Sequence, residues 1–225
     1  MPVSIDAEFE ITGFDWVPPF AVGLVRDLRP RWACEETGLP YRVRSISAVD
    51  RPGWFYKEQP WGQVPVIRDG ETCVFESGAI LLHIAEKTGQ LLPGTGQARA
   101  DTFSWLLAAF NSVEPHLLQW VDVTLFSAKE EWARLRRPGL EEAIAKRLEP
   151  VAKHLAGREW LAGEFSIADI AMATVLRPLR KGPLLSGHPA LLAYTERAEA
   201  RPAFRRALAD QLAQYDANAP QTEEA

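Results

Sequence analysis

The chain has 225 residues, 47% of them hydrophobic and 24% charged, with a formal net charge of −5. This composition fits a globular protein of one large or two small domains, and the acidic balance excludes nucleic acid as an expected partner, because no cationic excess is left to neutralise phosphates. No apolar run approaches the roughly 20 residues that span a bilayer, so no membrane partner is expected either.

The N-terminal MPVSIDAEFE lacks a basic segment followed by an apolar one, and a cytoplasmic location is the resulting expectation. Ala7–Thr12 alternates weakly as a first strand. Gly13–Arg26 follows as a loop rich in proline, glycine and large apolar groups, which either packs on the core or lines an apolar pocket. Asp27 is placed to cap a helix running to about Thr37, with Pro30 in its first turn and Gly38 as its stop. Tyr41–Ile46 reads as a second strand, parallel to the first because a helix joins them. The turn-rich Ser47–Trp61 leaves room for a short helix over Trp54–Glu58.

Trp61–Ile84 is the most informative stretch. Val64–Ile67 predicts a strand that begins with a proline, and Arg68–Glu71 predicts a turn with Asp-Gly at its tip. Thr72–Phe75 returns as a strand, and Glu76-Ser77 opens a helix. Pro65 cannot donate to a ladder, so it belongs at a strand end or edge. A cis bond there would turn the Val64 backbone toward an extended ligand. Ser77 lies where helical N–H groups lack partners, and a carboxylate is welcome there. A ligand-free hairpin with a capped helix is the alternative.

Leu91–Gly96 has a linker composition and divides the chain into residues 1–90, an α/β unit, and 97–217, an all-α unit. In the second, Arg99–Phe126 reads as a long helix bent at Pro115. Glu130–Leu155 reads as another, interrupted near Pro138-Gly139. Ser166 with Asp169 forms a capping box that opens a further helix. Pro189–Glu199 and Pro202–Tyr215 complete the set.

Four segments, Arg31–Tyr41, Gly62–Ile67, Phe75–Ile80 and Phe165–Ala171, together resemble the cytosolic glutathione transferases over about residues 7–215. The resemblance implies a thioredoxin-like N-terminal domain, a helical-bundle C-terminal domain, glutathione as co-substrate and a homodimer. It also implies roles: Gln63 for the glycyl end of glutathione, the Val64 backbone for the cysteinyl unit, Pro65 as a cis proline, and Glu76 with Ser77 for the γ-glutamyl group.

The chain departs from the family at the thiolate-stabilising residue, since no Ser, Thr, Tyr or Cys lies between Thr12 and Cys34. Arg26 is the remaining candidate, beside the positive end of the first helix. Its alternative is a solvated surface cation, and Thr12 is a fallback donor. Cys34 and Cys73 read as small apolar residues that make no disulfide framework, and the four histidines show no metal-site spacing, so no metal is expected. Phe14 and Trp16, with Phe20, Trp105, Phe110 and Trp120, could line an apolar electrophile site, or the last three could be core. Two functions follow: a transferase adding the glutathione thiolate to an apolar electrophile, or a non-catalytic binding or interaction protein of the same fold.

Overall fold

The structure is a computed structural model and describes residues 2–180 and 182–220. It divides into two compact units. The first contains the residues up to Gln90 together with those from Arg201 onward, and the second spans Leu91–Ala200.

The first unit is built on a four-stranded sheet in the order β2-β1-β3-β4. Strand β1 (Glu10–Phe14) leads through helix α1 (Leu28–Thr37) to strand β2 (Arg42–Ile46), which pairs parallel to β1. Strands β3 (Val66–Asp69) and β4 (Thr72–Phe75) form an antiparallel hairpin, and helix α2 (Ser77–Thr88) follows. Asp69 pairs with Thr72, so the hairpin loop is Gly70-Glu71, one residue further on than an Asp-Gly tip would place it. Ile11 stands opposite Val43 on one side and Ile67 on the other, which centres β1 in the sheet and buries Ile11 completely. The expected short helix is a 3₁₀ turn over Gly53–Lys57.

Asp27 precedes α1 but does not cap it. Its buried carboxylate turns instead to Arg31 Nε at 2.9 Å and Gln211 Nε2 at 2.6 Å. Gln211 belongs to α9 (Pro202–Ala217), the last helix, which lies along α1. Fully buried Arg31 also bonds Asp210 and Gln214 of α9, Arg201 forks onto Glu36 at 2.6 and 2.7 Å, and Phe204 meets Trp32 edge-on at 4.8 Å. These buried polar pairs draw the end of the chain onto the first unit. The expected second domain over 97–217 is corrected on this point, because the chain from Arg201 onward belongs with the sheet.

The second unit is helical: α3 (Gly96–Ala108), α4 (Glu114–Val121), α5 (Glu131–Leu155), α6 (Ile167–Leu176), α7 (Pro183–Ser186) and α8 (Pro189–Glu199). The predicted long helix over Arg99–Phe126 is divided by two π-helical turns, Ala109–Val113 and Asp122–Phe126. The first stands just ahead of Pro115, whose missing N–H breaks the regular ladder. Helix α5 is not interrupted at Pro138-Gly139 as the sequence suggests. Its buried face of Leu140, Ile144, Leu148, Val151 and Leu155 supplies packing that overrides the local cost of proline and glycine. Helix α6 carries the capping box between Ser166 and Asp169. The Asp169 carboxylate accepts from Leu161 N, Ser166 N and Tyr194 Oη, each at 3.0 Å. Among the described residues no helix is long and apolar enough to cross a membrane.

Candidate glutathione site

The stretch Trp61–Ser77 is shaped by residues on either side of it. Gly62 has φ +65°, a conformation that favours glycine, and the Tyr56 ring lies over it, within 2.7 Å of where a Cβ would stand. Gln59, 2% exposed, accepts hydrogen bonds from the Trp61 N–H at 2.6 Å and the Gln63 N–H at 3.1 Å. The side chain of Gln59 thus braces the chain leading to Gln63, which is itself exposed.

The Val64–Pro65 peptide bond is cis. The Val64 side chain enters a cluster with Ile46, Phe55 and Val66, against which Phe14, Val25 and Phe75 pack. No backbone hydrogen bond from Val64 is seen among the described residues. Apolar packing therefore anchors the side chain while the main chain keeps its donor and acceptor.

Glu76 has φ 70° and ψ 117°, a region that residues other than glycine seldom enter. It is exposed and stands directly before α2, whose first turn no side chain caps. The first helical bond is from Ile80 N to Glu76 O at 2.9 Å, which leaves the N–H groups of Ser77, Gly78 and Ala79 at the helix mouth. Ser77 is buried, and its Oγ accepts a 2.8 Å hydrogen bond from Nη1 of Arg29, a residue of α1 that is 3% exposed. The cis bond thus stands at the start of β3, and the uncapped helix and a guanidinium meet at Ser77.

Not every residue that the sequence singles out joins this group. Arg26 is half-buried in the turn ahead of α1. Phe14 packs beside Val64, with the Arg51 guanidinium 5.2 Å above its ring, whereas Trp16 walls a separate cleft of about 290 Å³ with Val17, Pro19, Val22, Leu212 and Tyr215. Phe20 is largely exposed. Thr12 is buried beside Arg44, and its hydroxyl accepts from Arg44 Nε at 3.0 Å and Nη2 at 2.7 Å. In the second unit the Trp105 ring lies 4.4 Å from that of His154.

Cys34 is buried, and burial pushes its thiol well above the ordinary value, which suits an inert packing residue. Cys73 differs from its expected buried role: it lies exposed on β4, its thiol raised by partial desolvation and the nearby Glu58. Among the described residues no group of three or more His, Cys, Asp and Glu could hold a metal.

Sequence reasoning missed Arg29 and Gln59. Arg29 occupies the first turn of a helix, where a cation reads as solvated, and Gln59 sits in an irregular stretch without periodicity. Only their neighbours in space identify them.

Residues 20–86 match the glutathione S-transferase N-terminal domain and residues 115–202 the C-terminal domain. Glutathione S-transferase 3 of Zea mays is 33% identical over 77% of this chain and 84% of its own length. The disulfide-bond oxidoreductase YfcG of Escherichia coli is also 33% identical, over 77% of this chain and 86% of its own. The crystal structure of a glutathione transferase family member from Pseudomonas fluorescens, with two glutathione bound, superimposes with a TM-score of 0.80 at 28% identity, covering 89% of this chain and 92% of that one. With both domains matched in order and relatives of this identity spanned over most of their length, the chain belongs to the glutathione S-transferase family of enzymes.

Proposed function

We propose that the first unit binds glutathione and that the chain adds its thiolate to an apolar electrophile. Glu76 carries this reading. An exposed non-glycine residue at φ 70°, immediately before an uncapped helix, is strained, and among the described residues its side chain makes no hydrogen bond that would offset the strain. The pair makes sense around an amino-acid head group, with the ligand carboxylate at the helix mouth and the Ser77 hydroxyl and its ammonium on the Glu76 carboxylate. The Val64 main chain pairs with the cysteinyl unit beside cis-Pro65, and Gln63 bonds the glycyl end.

The stretch between Thr12 and Cys34 offers no hydroxyl donor to the sulfur. The positive end of α1 and Arg26 favour the thiolate. The thiolate attacks the electrophilic carbon, a C–S bond forms, and the electron pair leaves with the departing group or onto the activating one. Phe14 and Trp16 offer apolar surface for the electrophile. Likeness to the cytosolic members of the family further supports a cytoplasmic homodimer.

Calorimetry with glutathione and a conjugation assay with 1-chloro-2,4-dinitrobenzene and related electrophiles test this reading. Binding at sub-millimolar glutathione with conjugation supports it. No heat at millimolar glutathione and no conjugation would leave only the non-catalytic interaction protein.

A second reading is favoured by the similarity to the E. coli disulfide-bond oxidoreductase. One glutathione thiolate would attack a substrate disulfide, releasing one thiol and forming a mixed disulfide. A second glutathione would resolve it, giving glutathione disulfide and the other thiol. Turnover of hydroxyethyl disulfide without conjugation would select this reading.

A further inference from the structure

We propose that buried Arg29 is a positioning residue that makes Ser77 a dedicated hydrogen-bond donor to the α-carboxylate of the glutathione γ-glutamyl group. The inference deepens the glutathione-binding reading and rests on it. A serine hydroxyl has one proton and two lone pairs, and without a fixed neighbour it rotates among donors and acceptors. Arg29 Nη1 lies 2.8 Å from Ser77 Oγ and can only donate, so it occupies a lone pair of that oxygen. The hydroxyl proton must then point to another acceptor.

At the first position of α2 the next negative charge to arrive would be a carboxylate drawn by the helix N–H groups. The bond from a cation also polarises the hydroxyl and strengthens its donation onward. Arg29 is 3% exposed and Ser77 is 7% exposed, so the pair sits away from bulk water, where such orientation matters most. In this arrangement Arg29 acts through Ser77 rather than on the ligand itself. It tells the carboxylate end from an uncharged one through Ser77.

The test compares glutathione with γ-aminobutyryl-cysteinylglycine, the same tripeptide without the α-carboxylate, by calorimetry on the full chain. The wild type is expected to prefer glutathione by about 10- to 100-fold, the value of an oriented hydrogen bond to a charged group. In Arg29→Met the preference shrinks to within about threefold of Ser77→Ala, and the double variant loses no more than either single one. Arg29→Lys, which still donates to Oγ, restores part of the preference. A merely structural Arg29 would weaken both tripeptides equally, leave the preference intact and show no such rescue by Lys, and that outcome overturns the inference. A wild type that binds neither tripeptide would instead sink the glutathione reading itself. Thermal melts of each variant separate loss of folding from loss of preference.

Discussion

Glu76 allows the cost of a functional conformation to be measured separately from its use. Its φ of 70° and ψ of 117° place the backbone where a side chain crowds its own carbonyl, at a cost of about 1–3 kcal/mol. Glycine occupies that region freely but loses about 0.5–1 kcal/mol more conformational freedom on folding than alanine. Two variants therefore separate the effects. Glu76→Ala keeps the strain and removes the carboxylate, and Glu76→Gly removes both. Because Glu76 is exposed and the helix has no side-chain cap to lose, Glu76→Ala should leave stability within about 0.5 kcal/mol of the wild type. Glu76→Gly should exceed it by about 1 kcal/mol, the strain released less the entropy lost.

Affinity should move the other way. Both variants lose the charge-assisted bond to the ligand ammonium, so glutathione should bind about 10- to 100-fold more weakly. Urea denaturation gives the stabilities and titration calorimetry the affinities. The reasoning fails if Glu76→Gly is the less stable of the two variants, for then the conformation carries no strain. It fails equally if either variant binds glutathione as the wild type does, for then the strain serves no ligand.

Three further outcomes follow from buried polar groups. Arg31→Ala removes the shared partner of Asp27, Asp210 and Gln214 and leaves the fully buried Asp27 carboxylate unpaired, so unfolding by urea should come about 3–5 kcal/mol more easily. Asp169→Ala strips the α6 capping box and orphans the Leu161 and Ser166 N–H groups and the Tyr194 hydroxyl. A loss of about 3–5 kcal/mol is expected, and a loss below 1 kcal/mol in the same melts would show that the box is dispensable. Glu58 combines partial burial, which alone would raise its carboxyl, with hydrogen bonds from Arg44 and Arg68 that outweigh it, so it titrates below the ordinary 4.5. Its contribution is complete above that value and is lost as the pH falls through the lower folded one, so Glu58→Gln should flatten the acid limb of stability that the wild type shows below about pH 4.5.

Periodicity and turn chemistry made the sheet and most helices legible, because those signals are local. Gly38 with φ 73° ends α1, and Ser166 with Asp169 opens α6, where the residue types require. Failures came where distant atoms outvote local preference. Pro138 and Gly139 look like a break until five buried aliphatic residues of α5 hold the helix through them. Asp27 looks like a cap until Arg31 and Gln211 claim its carboxylate. The last helix reads as part of the helical unit because nothing in Pro202–Tyr215 announces that Asp210 and Gln214 answer an arginine nearly 180 positions earlier.

The candidate site divides along the same line. Val64, Pro65 and Ser77 were legible from local rules as a strand edge and a helix mouth, whereas the roles expected of Gln63 and Glu76 came from the family resemblance. What could not be read was why those groups hold their poses. Gln59 clamps the approach to Gln63, the positive φ at position 62 favours glycine, and Arg29 donates to the Ser77 hydroxyl oxygen. Arg29 acts from one helix to another, and Gln59 and Tyr56 act within an irregular stretch that carries no periodic signal, so neither kind of contact shows in the sequence. Arg26 marks the same limit, since its proposed role at the sulfur rests on the lack of a hydroxyl residue between Thr12 and Cys34 in the sequence. If charge rather than a hydroxyl proton favours the thiolate, the rate of conjugation should fall as ionic strength rises, because a half-exposed cation is screened and a directed hydroxyl is not.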